Sequence, residues 1–246
     1  MNAVETILNH QSVRNFTGQS LTDEQVKTLS EVVARTSSSC FFQTVRVIRI
    51  TDREKLERIA ELSGDQEHIA RCAEFWMFCI DLTLLMQQNE LKAPFPFRFF
   101  YSGMNDTSLT CQNVLTAAES MGLGGTIIGG FKPGIVEISK MLNLPFGVAP
   151  CLGLILGVPD VNYLEQQKPR LPLDYLIFEN TYKDVVTKEG IDEYNATLRE
   201  YYENRKYNRR SIDWSSACSA MLGNTAAKTA LNPLIEYFKG QGFSFD

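Results

Sequence analysis

Hydrophobic positions in the first third of the chain follow two spacings, one typical of helices and one typical of strands. Residues 22–35 place apolar side chains on one face, and Thr22 with Gln25 forms a capping box, which predicts a helix. Residues 44–50 are β-branched and alternating, which predicts a strand. The aromatic run at 74–81 predicts a second strand, buried on both faces.

The middle of the chain is mostly apolar. Residues 106–123 carry few charges, which predicts a helix buried all round, either in the core or between subunits. Residues 124–130 predict a strand framed by glycines, 132–145 a helix and 148–159 a buried strand. Residues 88–104 are rich in Pro, Phe and Tyr without a clear period, so a loop with aromatic anchors is expected.

Helices and strands alternate along the chain with no intervening linker or repeat. The sequence therefore predicts a single domain over 1–246, in which a sheet carries helices on both faces. Residues 189–206 are predicted to be helical and charged, at the start of a C-terminal extension over about 189–246. Glu119, a late charge in the apolar helix, is expected to be a paired structural acid.

Composition narrows the class of protein. Of the 246 residues, 44% are hydrophobic and 22% are charged, as in globular proteins. The net charge of −5 and the pI of about 5.2 argue against nucleic acid or an anionic membrane as the main partner. The longest weakly polar run, 147–158, is too short to span a bilayer, and the N-terminus does not resemble a signal peptide.

The cysteines predict a reducing compartment. None of the six forms a C-x-x-C pair and four lie in apolar surroundings, so mostly buried thiols in a cytoplasmic protein are expected. The two histidines, His10 and His68, are far apart in sequence and have no cysteine pair to support them, so no metal site is predicted.

Four short clusters could carry chemistry, although each has a structural alternative such as a solvated face or a tight turn. They are His10, Ser12 and Arg14, which share a face if extended, and the segments 36–43, 122–130 and 168–172. The glycine-rich segment lacks the Rossmann spacing, because residue 127 is Ile, and it lacks the P-loop lysine, because residue 131 is Phe.

Taken together, the clusters indicate a cofactor site. Cationic side chains beside neutral serine and glycine donors suit an anionic cofactor that has a planar apolar part. The sequence has no G-x-S-x-G motif and no histidine beside a nucleophile in a known motif order, so the cofactor is expected to supply the chemistry.

Five segments in this order resemble the FMN-dependent nitroreductase superfamily, and most of all its NADPH-dependent oxygen-insensitive nitroreductase and flavin reductase branch. They are HQSVRNF, ARTSSSCFFQ, GDQEHIARCAEFWMFCID, ESMGLGGTIIGG and KPRLP. The resemblance covers about residues 5 to 210. It implies an α+β, three-layer fold with a mostly antiparallel central sheet, in an intertwined homodimer that builds each FMN site from both chains.

The resemblance also implies which residues bind FMN. Arg14 would contact the flavin edge on which negative charge grows, and Phe41 would lie near the substrate face, so these two are the expected catalytic residues. The expected ribityl and phosphate ligands are His10, Gln11, Ser12, Lys168 and Arg170. The expected ring and loop contacts are Ser37, Ser38, Ser39, Gln66, Ile128, Gly129 and Gly130. Gln11 stands where the family often has Arg, which replaces one phosphate cation by a neutral donor.

For the electron donor, the resemblance implies NADPH. Arg205 and Arg209 match arginines that surround its 2′-phosphate in similar proteins, and Lys132 stands where close relatives often have Arg near the nucleotide. A solvated basic helix end is the structural alternative for 203–210.

The predicted function is FMN-dependent transfer of reducing equivalents from NADPH to nitroaromatics, quinones or free flavins by a ping-pong mechanism. Two alternatives remain open at this point. One is an FMN-binding carrier or redox sensor without turnover, and the other is a flavin-dependent dehalogenase or flavin-cleaving branch of the same fold. The physiological acceptor is not set by the sequence, because an open flavin face accepts many planar oxidants.

Overall fold

Four antiparallel strands form the central sheet of this computed structural model, which describes residues 2–223 and 231–245. They are β1 (Val45–Ile50), β2 (Glu74–Asp81), β3 (Gly124–Ile128) and β4 (Val148–Gly157), in the order β1-β2-β4-β3. All neighbouring pairs are antiparallel. The four predicted strands are confirmed, although β3 and β4 end at residues 128 and 157 rather than 130 and 159.

The described helices fall into two compact units, 2–162 with 231–245 and 163–223. The first unit contains α1 (Ala3–Leu8), α2 (Asp23–Arg35), α3 (Arg53–Leu62), α4 (Glu67–Arg71), α5 (Thr83–Asn89), α6 (Phe97–Ser120), α7 (Ile135–Met141) and the C-terminal helix (Leu231–Gly240). The second contains α8 (Lys188–Glu203) and α9 (Trp214–Gly223). That the two units form a single domain stays a prediction.

Both faces of β2 are buried, as its aromatic run predicts. Phe75 and Met77 pack into a cluster with residues of α3, α7 and the C-terminal helix. Trp76 and Phe78 point the other way, into a cluster with residues of α2 and α6. Alternate residues of one strand thus join two cores, which confirms a three-layer α+β fold with helices on both faces of the sheet.

The segment 88–104 differs from the expected loop. α5 extends to Asn89 and α6 already begins at Phe97, so only 90–96 lies outside helices. The rings of Phe95 and Phe100 pack with those of Phe238 and Phe243 near the C-terminus. This long-range aromatic packing stabilises a helix start whose residues have only moderate helix propensity and no clear period.

α6 is not buried all round within this chain. One face packs on the sheet and on α2, but Tyr101 is 61% exposed and Leu109 is 51% exposed. The core alternative for this helix is therefore wrong, and a subunit contact remains the prediction for its exposed apolar face. Across the described ranges, no helix combines the length and the apolar character needed to cross a membrane.

The cysteines agree with the sequence analysis. All six are free thiols, and the buried ones are Cys72, Cys79, Cys111 and Cys151. Burial raises the pKa of Cys72, Cys111 and Cys151 to about 12, so these thiols stay protonated and unreactive near neutral pH.

Close packing between β3 and β4 makes Gly125 a test of the fold. A Cβ at this position would lie 2.4 Å from the Ile155 carbonyl oxygen, so the two strands would have to move apart. We expect Gly125→Ala to lower the free energy of unfolding by about 1–3 kcal/mol in a denaturant titration. Gly223→Ala is the control, because none of the residues that the structure describes has an atom within 4 Å of its added Cβ. Equal stability of the two variants would contradict this packing.

Candidate functional site

The segment that carries Arg14 is hydrogen-bonded to β3. Val13 N donates to the Gly125 carbonyl oxygen at 2.9 Å, and Thr126 Oγ1 donates to the Val13 carbonyl oxygen at 2.7 Å. Val13 is buried whereas Ser12 and Arg14 are exposed, as the predicted alternation requires. The backbone immediately before Arg14 is thus fixed, while the Arg14 side chain lies at the surface.

Gly130 lies against the side-chain amide of Gln66. A Cβ on Gly130 would come within 2.2 Å of Gln66 Nε2, which itself donates to the Ser63 carbonyl oxygen at 2.7 Å. Any side chain at position 130 would displace this amide. The end of β3 also lies near Lys132, whose Nζ would be 3.8 Å from a Cβ on Gly129. The structure therefore brings together four of the predicted residues.

His68 belongs to the same region and was not predicted as a site residue. Burial lowers its pKa and the positive charge of Arg14 lowers it further, so the ring is neutral near pH 7. Within the described part of the chain, His68 Nε2 is buried without a hydrogen-bond partner. A buried nitrogen of this kind favours a polar group that arrives from outside the chain. The sequence did contain a signal for His68, because it lies two residues after Gln66 in the segment GDQEHIARCAEFWMFCID.

His10 is paired with an acid of α6. Its Nδ1 lies 2.6 Å from Glu119 Oε1, and both side chains are partly buried. Glu119 is thus a paired structural acid, as expected. The contact of His10, Gln11 and Ser12 with a phosphate stays a prediction.

The predicted serine loop, residues 37–43, is bound to a buried carboxylate of its own chain. Asp106 is 2% exposed and accepts hydrogen bonds from Ser38 Oγ at 3.0 Å, Ser39 Oγ at 2.7 Å and Ser39 N at 3.0 Å. Sequence reasoning missed Asp106, although an acid within a nearly uncharged helix was the signal. Two of the three predicted serine hydroxyls therefore serve to hold the loop, and Ser37 is the exposed one.

The loop has an unusual backbone. Cys40, Phe41 and Gln43 have φ values of 51°, 57° and 53°, in the left-handed region that residues other than glycine rarely adopt. Gln43 N donates to Ser38 Oγ at 2.7 Å, so the hydrogen bonds at Asp106 extend across the strained turn. This conformation leaves the Phe41 side chain 78% exposed.

Four predicted residues lie in the second unit. Lys168 Nζ is 5.2 Å from the Tyr202 ring centroid, and Arg170 Nη1 donates to the Lys168 carbonyl oxygen at 2.8 Å. α8 spans Lys188–Glu203 rather than the predicted 189–206, so Arg205 and Arg209 lie just after its C-terminal end, as the structural alternative of a solvated basic helix end also has it. The roles of these four residues toward FMN and NADPH stay predictions.

The Asp106 contacts can be tested by mutation. Asp106→Ala leaves the donors of Ser38 and Ser39 without their acceptor, so we expect a loss of about 3 kcal/mol in the free energy of unfolding. Chymotrypsin should also cleave after Phe41 faster than in the parent. Asp184→Ala, an exposed control, should change neither quantity. Unchanged cleavage in Asp106→Ala would contradict the anchoring role.

Known proteins similar to this chain cover nearly all of it. NADPH-flavin oxidoreductase of Vibrio harveyi is 37% identical over 222 residues, which are 90% of this chain and 91% of that protein. Oxygen-insensitive NADPH nitroreductase of Salmonella typhimurium is 37% identical over 241 residues, 98% of each chain. The crystal structure of nitroreductase A from Vibrio parahaemolyticus matches with a TM-score of 0.87 at 34% identity, over 100% of both chains.

Two family models match consecutive parts of the sequence. The model of the nitroreductase family matches residues 7–98 and 77–158, which contain the N-terminal segment, the serine loop and the glycine end of β3. The model of the C-terminal domain of the same family matches residues 168–246, beyond the point where the sequence resemblance ended. The chain therefore belongs to the nitroreductase family.

Proposed function

We propose that this protein is an FMN-dependent NADPH oxidoreductase that reduces nitroaromatic compounds, quinones or free flavins. The observation that carries the proposal is the bare backbone at Gly130, which lies beside the Gln66 amide in the same region as Arg14 and His68. Hydrogen-bonding groups there adjoin two consecutive residues, Gly129 and Gly130, that carry no side chains of their own. The names of the Vibrio harveyi and Salmonella typhimurium relatives support the same chemistry.

The donor set fits FMN. A flat ring system needs a strand end without side chains, which Gly129 and Gly130 provide. Gln66 Nε2 carries two hydrogens and gives one to Ser63, so the second is available to a ligand. Together with Ile128 at the strand end, these residues would hold the ring, and His10, Gln11 and Ser12 would lie toward the phosphate.

When bound, FMN would supply the hydride and electron transfer, and the protein would orient the reactants and stabilise charge. Arg14 carries a permanent positive charge at a site where negative charge grows during reduction. Its effect is therefore larger on the reduced, anionic cofactor than on the oxidised one. Neutral His68 adds a hydrogen-bonding group without a second charge.

Phe41 is proposed to contact the electron acceptor. Its side chain is exposed on a loop that Asp106 holds in place. An aromatic face can pack against planar compounds of different kinds and imposes few polar requirements on them. This arrangement suits an enzyme that accepts nitroaromatics, quinones and flavins alike, and it gives a carrier or sensor no evident advantage.

The exposed apolar side chains support a homodimer. They lie on α1, α6, the serine loop and β3, and include Val4, Ile7, Leu8, Tyr101, Leu109, Phe41 and Ile127. A monomer rarely exposes so many apolar side chains on neighbouring elements. We propose that a second copy of the chain covers this surface, and that the six free thiols reflect a cytoplasmic location.

Flavin reduction tests the catalytic proposal. FMN should copurify with the protein, and anaerobic NADPH should bleach its absorbance. Arg14→Ala should keep most of its FMN but bleach about 10–100-fold more slowly in stopped-flow measurements, because the missing cation acts mainly on the reduced cofactor. Arg35→Ala, an exposed arginine of α2, should match the parent.

Two results would argue against this function. A parent protein that holds FMN but is bleached by neither NADPH nor NADH would favour a carrier. Equal bleaching rates in Arg14→Ala and the parent would show that Arg14 does not assist the reduction of FMN.

Sedimentation tests the dimer. The parent should be dimeric at micromolar concentration, and Leu109→Glu should raise the dissociation constant about a hundredfold because it places an unpaired charge in the interface. Val136→Glu, at a similarly exposed position on α7, is the control and should leave the dimer intact. A parent that sediments as a monomer while holding FMN would overturn the proposal.

A further inference from the structure

Glu165 lies at the centre of a set of contacts in the second unit. Its carboxylate accepts hydrogen bonds from two consecutive backbone amides, Lys206 N at 3.2 Å and Tyr207 N at 2.9 Å. It also forms an ion pair with Arg205, whose Nε is 3.5 Å away. Only 16% of the Glu165 side chain is exposed. We call residues 204–210 the basic loop, because four of its seven residues are cationic: Arg205, Lys206, Arg209 and Arg210.

Two residues close to Glu165 in sequence, Tyr163 and Gln166, contact the basic loop and α8. The Tyr163 ring stacks on the Tyr207 ring, with centroids 4.7 Å apart and planes 29° apart. Tyr201, in the last turns of α8, donates its hydroxyl to the Gln166 carbonyl oxygen at 3.3 Å. Of these two contacts, the one at Gln166 is independent of the basic loop and ties the Glu165 segment to α8, so the carboxylate can fix the loop rather than follow it.

Arg205 differs from the other cations of the loop. Its side chain is only 18% exposed, and its guanidinium carbon lies 5.8 Å from the ring centroids of both Tyr201 and Tyr202. The other three cations are exposed, namely Lys206, Arg209 and Arg210. A ligand that approaches from solvent meets these three first. Among them, Arg209 is tied to the loop backbone, because its Nε donates to the Arg205 carbonyl oxygen at 2.7 Å.

We infer that Glu165 is a positioning residue for the 2′-phosphate of NADPH, and that Arg209 rather than Arg205 makes the main contact with this phosphate. The inference rests on the proposed use of NADPH. Glu165 holds the basic loop in its binding conformation before the dinucleotide arrives, so less conformational freedom is lost on binding. Arg205 is part of this anchor, and Arg209 keeps its terminal guanidinium nitrogens for bidentate phosphate binding.

A carboxylate close to a phosphate site also has an opposing effect. Its negative charge lowers the positive potential of the basic loop, so its removal would tighten phosphate binding if charge alone mattered. The same removal would deprive two amides of a hydrogen-bond acceptor and Arg205 of its ion-pair partner, and would loosen the loop. If Glu165 positions the loop, a Glu165 variant should bind phosphate more weakly than the parent. If its role is purely electrostatic, the variant should bind phosphate more tightly. The direction of the change in phosphate affinity therefore distinguishes the two roles.

The test compares Glu165→Gln with Glu203→Gln in the full chain loaded with FMN. Glu165→Gln replaces one of the two acceptor oxygens by an NH2 donor, whereas Glu203→Gln, at an exposed residue at the end of α8, makes the same charge change without altering an acceptor of the loop amides. Calorimetry measures the binding of adenosine 2′,5′-bisphosphate, which carries the 2′-phosphate, and of 5′-AMP, which lacks it. We expect Glu165→Gln to weaken bisphosphate binding about tenfold and 5′-AMP binding less than about twofold, and Glu203→Gln to match the parent.

Two further measurements distinguish the residues that hold the basic loop in place from the residue that contacts the phosphate. Amide hydrogen exchange in peptides covering 204–210 should be faster in Glu165→Gln and in Arg205→Ala. Arg209→Ala should weaken bisphosphate binding about tenfold while exchange in the same peptides stays at the parental rate.

The outcomes that overturn the inference are distinct. Bisphosphate binding that is unchanged or tighter in Glu165→Gln removes the positioning role. If Arg209→Ala prefers the bisphosphate over 5′-AMP as strongly as the parent does, Arg209 does not make the main contact with the 2′-phosphate. If the parent binds the bisphosphate no more tightly than 5′-AMP, the protein does not recognise the 2′-phosphate and this inference is wrong. The oxidoreductase proposal would still hold in that case if either dinucleotide bleaches FMN.

Discussion

The pair of hydrogen bonds that joins Val13 to β3 is the constraint on which the candidate site depends. It fixes the backbone next to Arg14, and the charge of Arg14 reaches His68 on α4. Gln66, at the start of α4, lies in turn against Gly130 at the end of β3. Three separate parts of the sequence are thus held around β3, and loss of the N-terminal pairing would displace the positive charge of Arg14 from these groups.

Missing side chains serve two purposes along and just after β3. At Gly125 the absence of a Cβ lets β3 approach the backbone of β4, which is a packing requirement. At Gly130 it leaves room for the Gln66 amide, and in the proposed function also for the flat ring of FMN. The sequence pattern G-G-T-I-I-G-G does not distinguish these cases, because the neighbouring strand and α4 decide what lies beside each glycine.

Three partly or fully buried acids of this protein bind segments that the sequence analysis singles out. Asp106 holds the serine loop, Glu119 pairs with His10 and Glu165 holds the basic loop. In each case a carboxylate accepts from groups that belong to another segment, so its charge is compensated and the segment is ordered before a ligand binds. This arrangement fits a protein in which the cofactor supplies the reaction chemistry.

The sequence by itself determined the strands, the capped start of α2 and, through the family resemblance, the set containing Arg14, Gln66 and Gly130. These features are local, since alternation, capping and short motifs involve residues within a few positions of one another. Only the tertiary structure decided where α6 begins and which acids hold the loops. The partners of Asp106 lie 67 and 68 residues away, and the amides bound by Glu165 lie 41 and 42 residues away. Hydrogen bonds over such separations leave no periodic signal in the chain, because they depend on how the segments fold against one another.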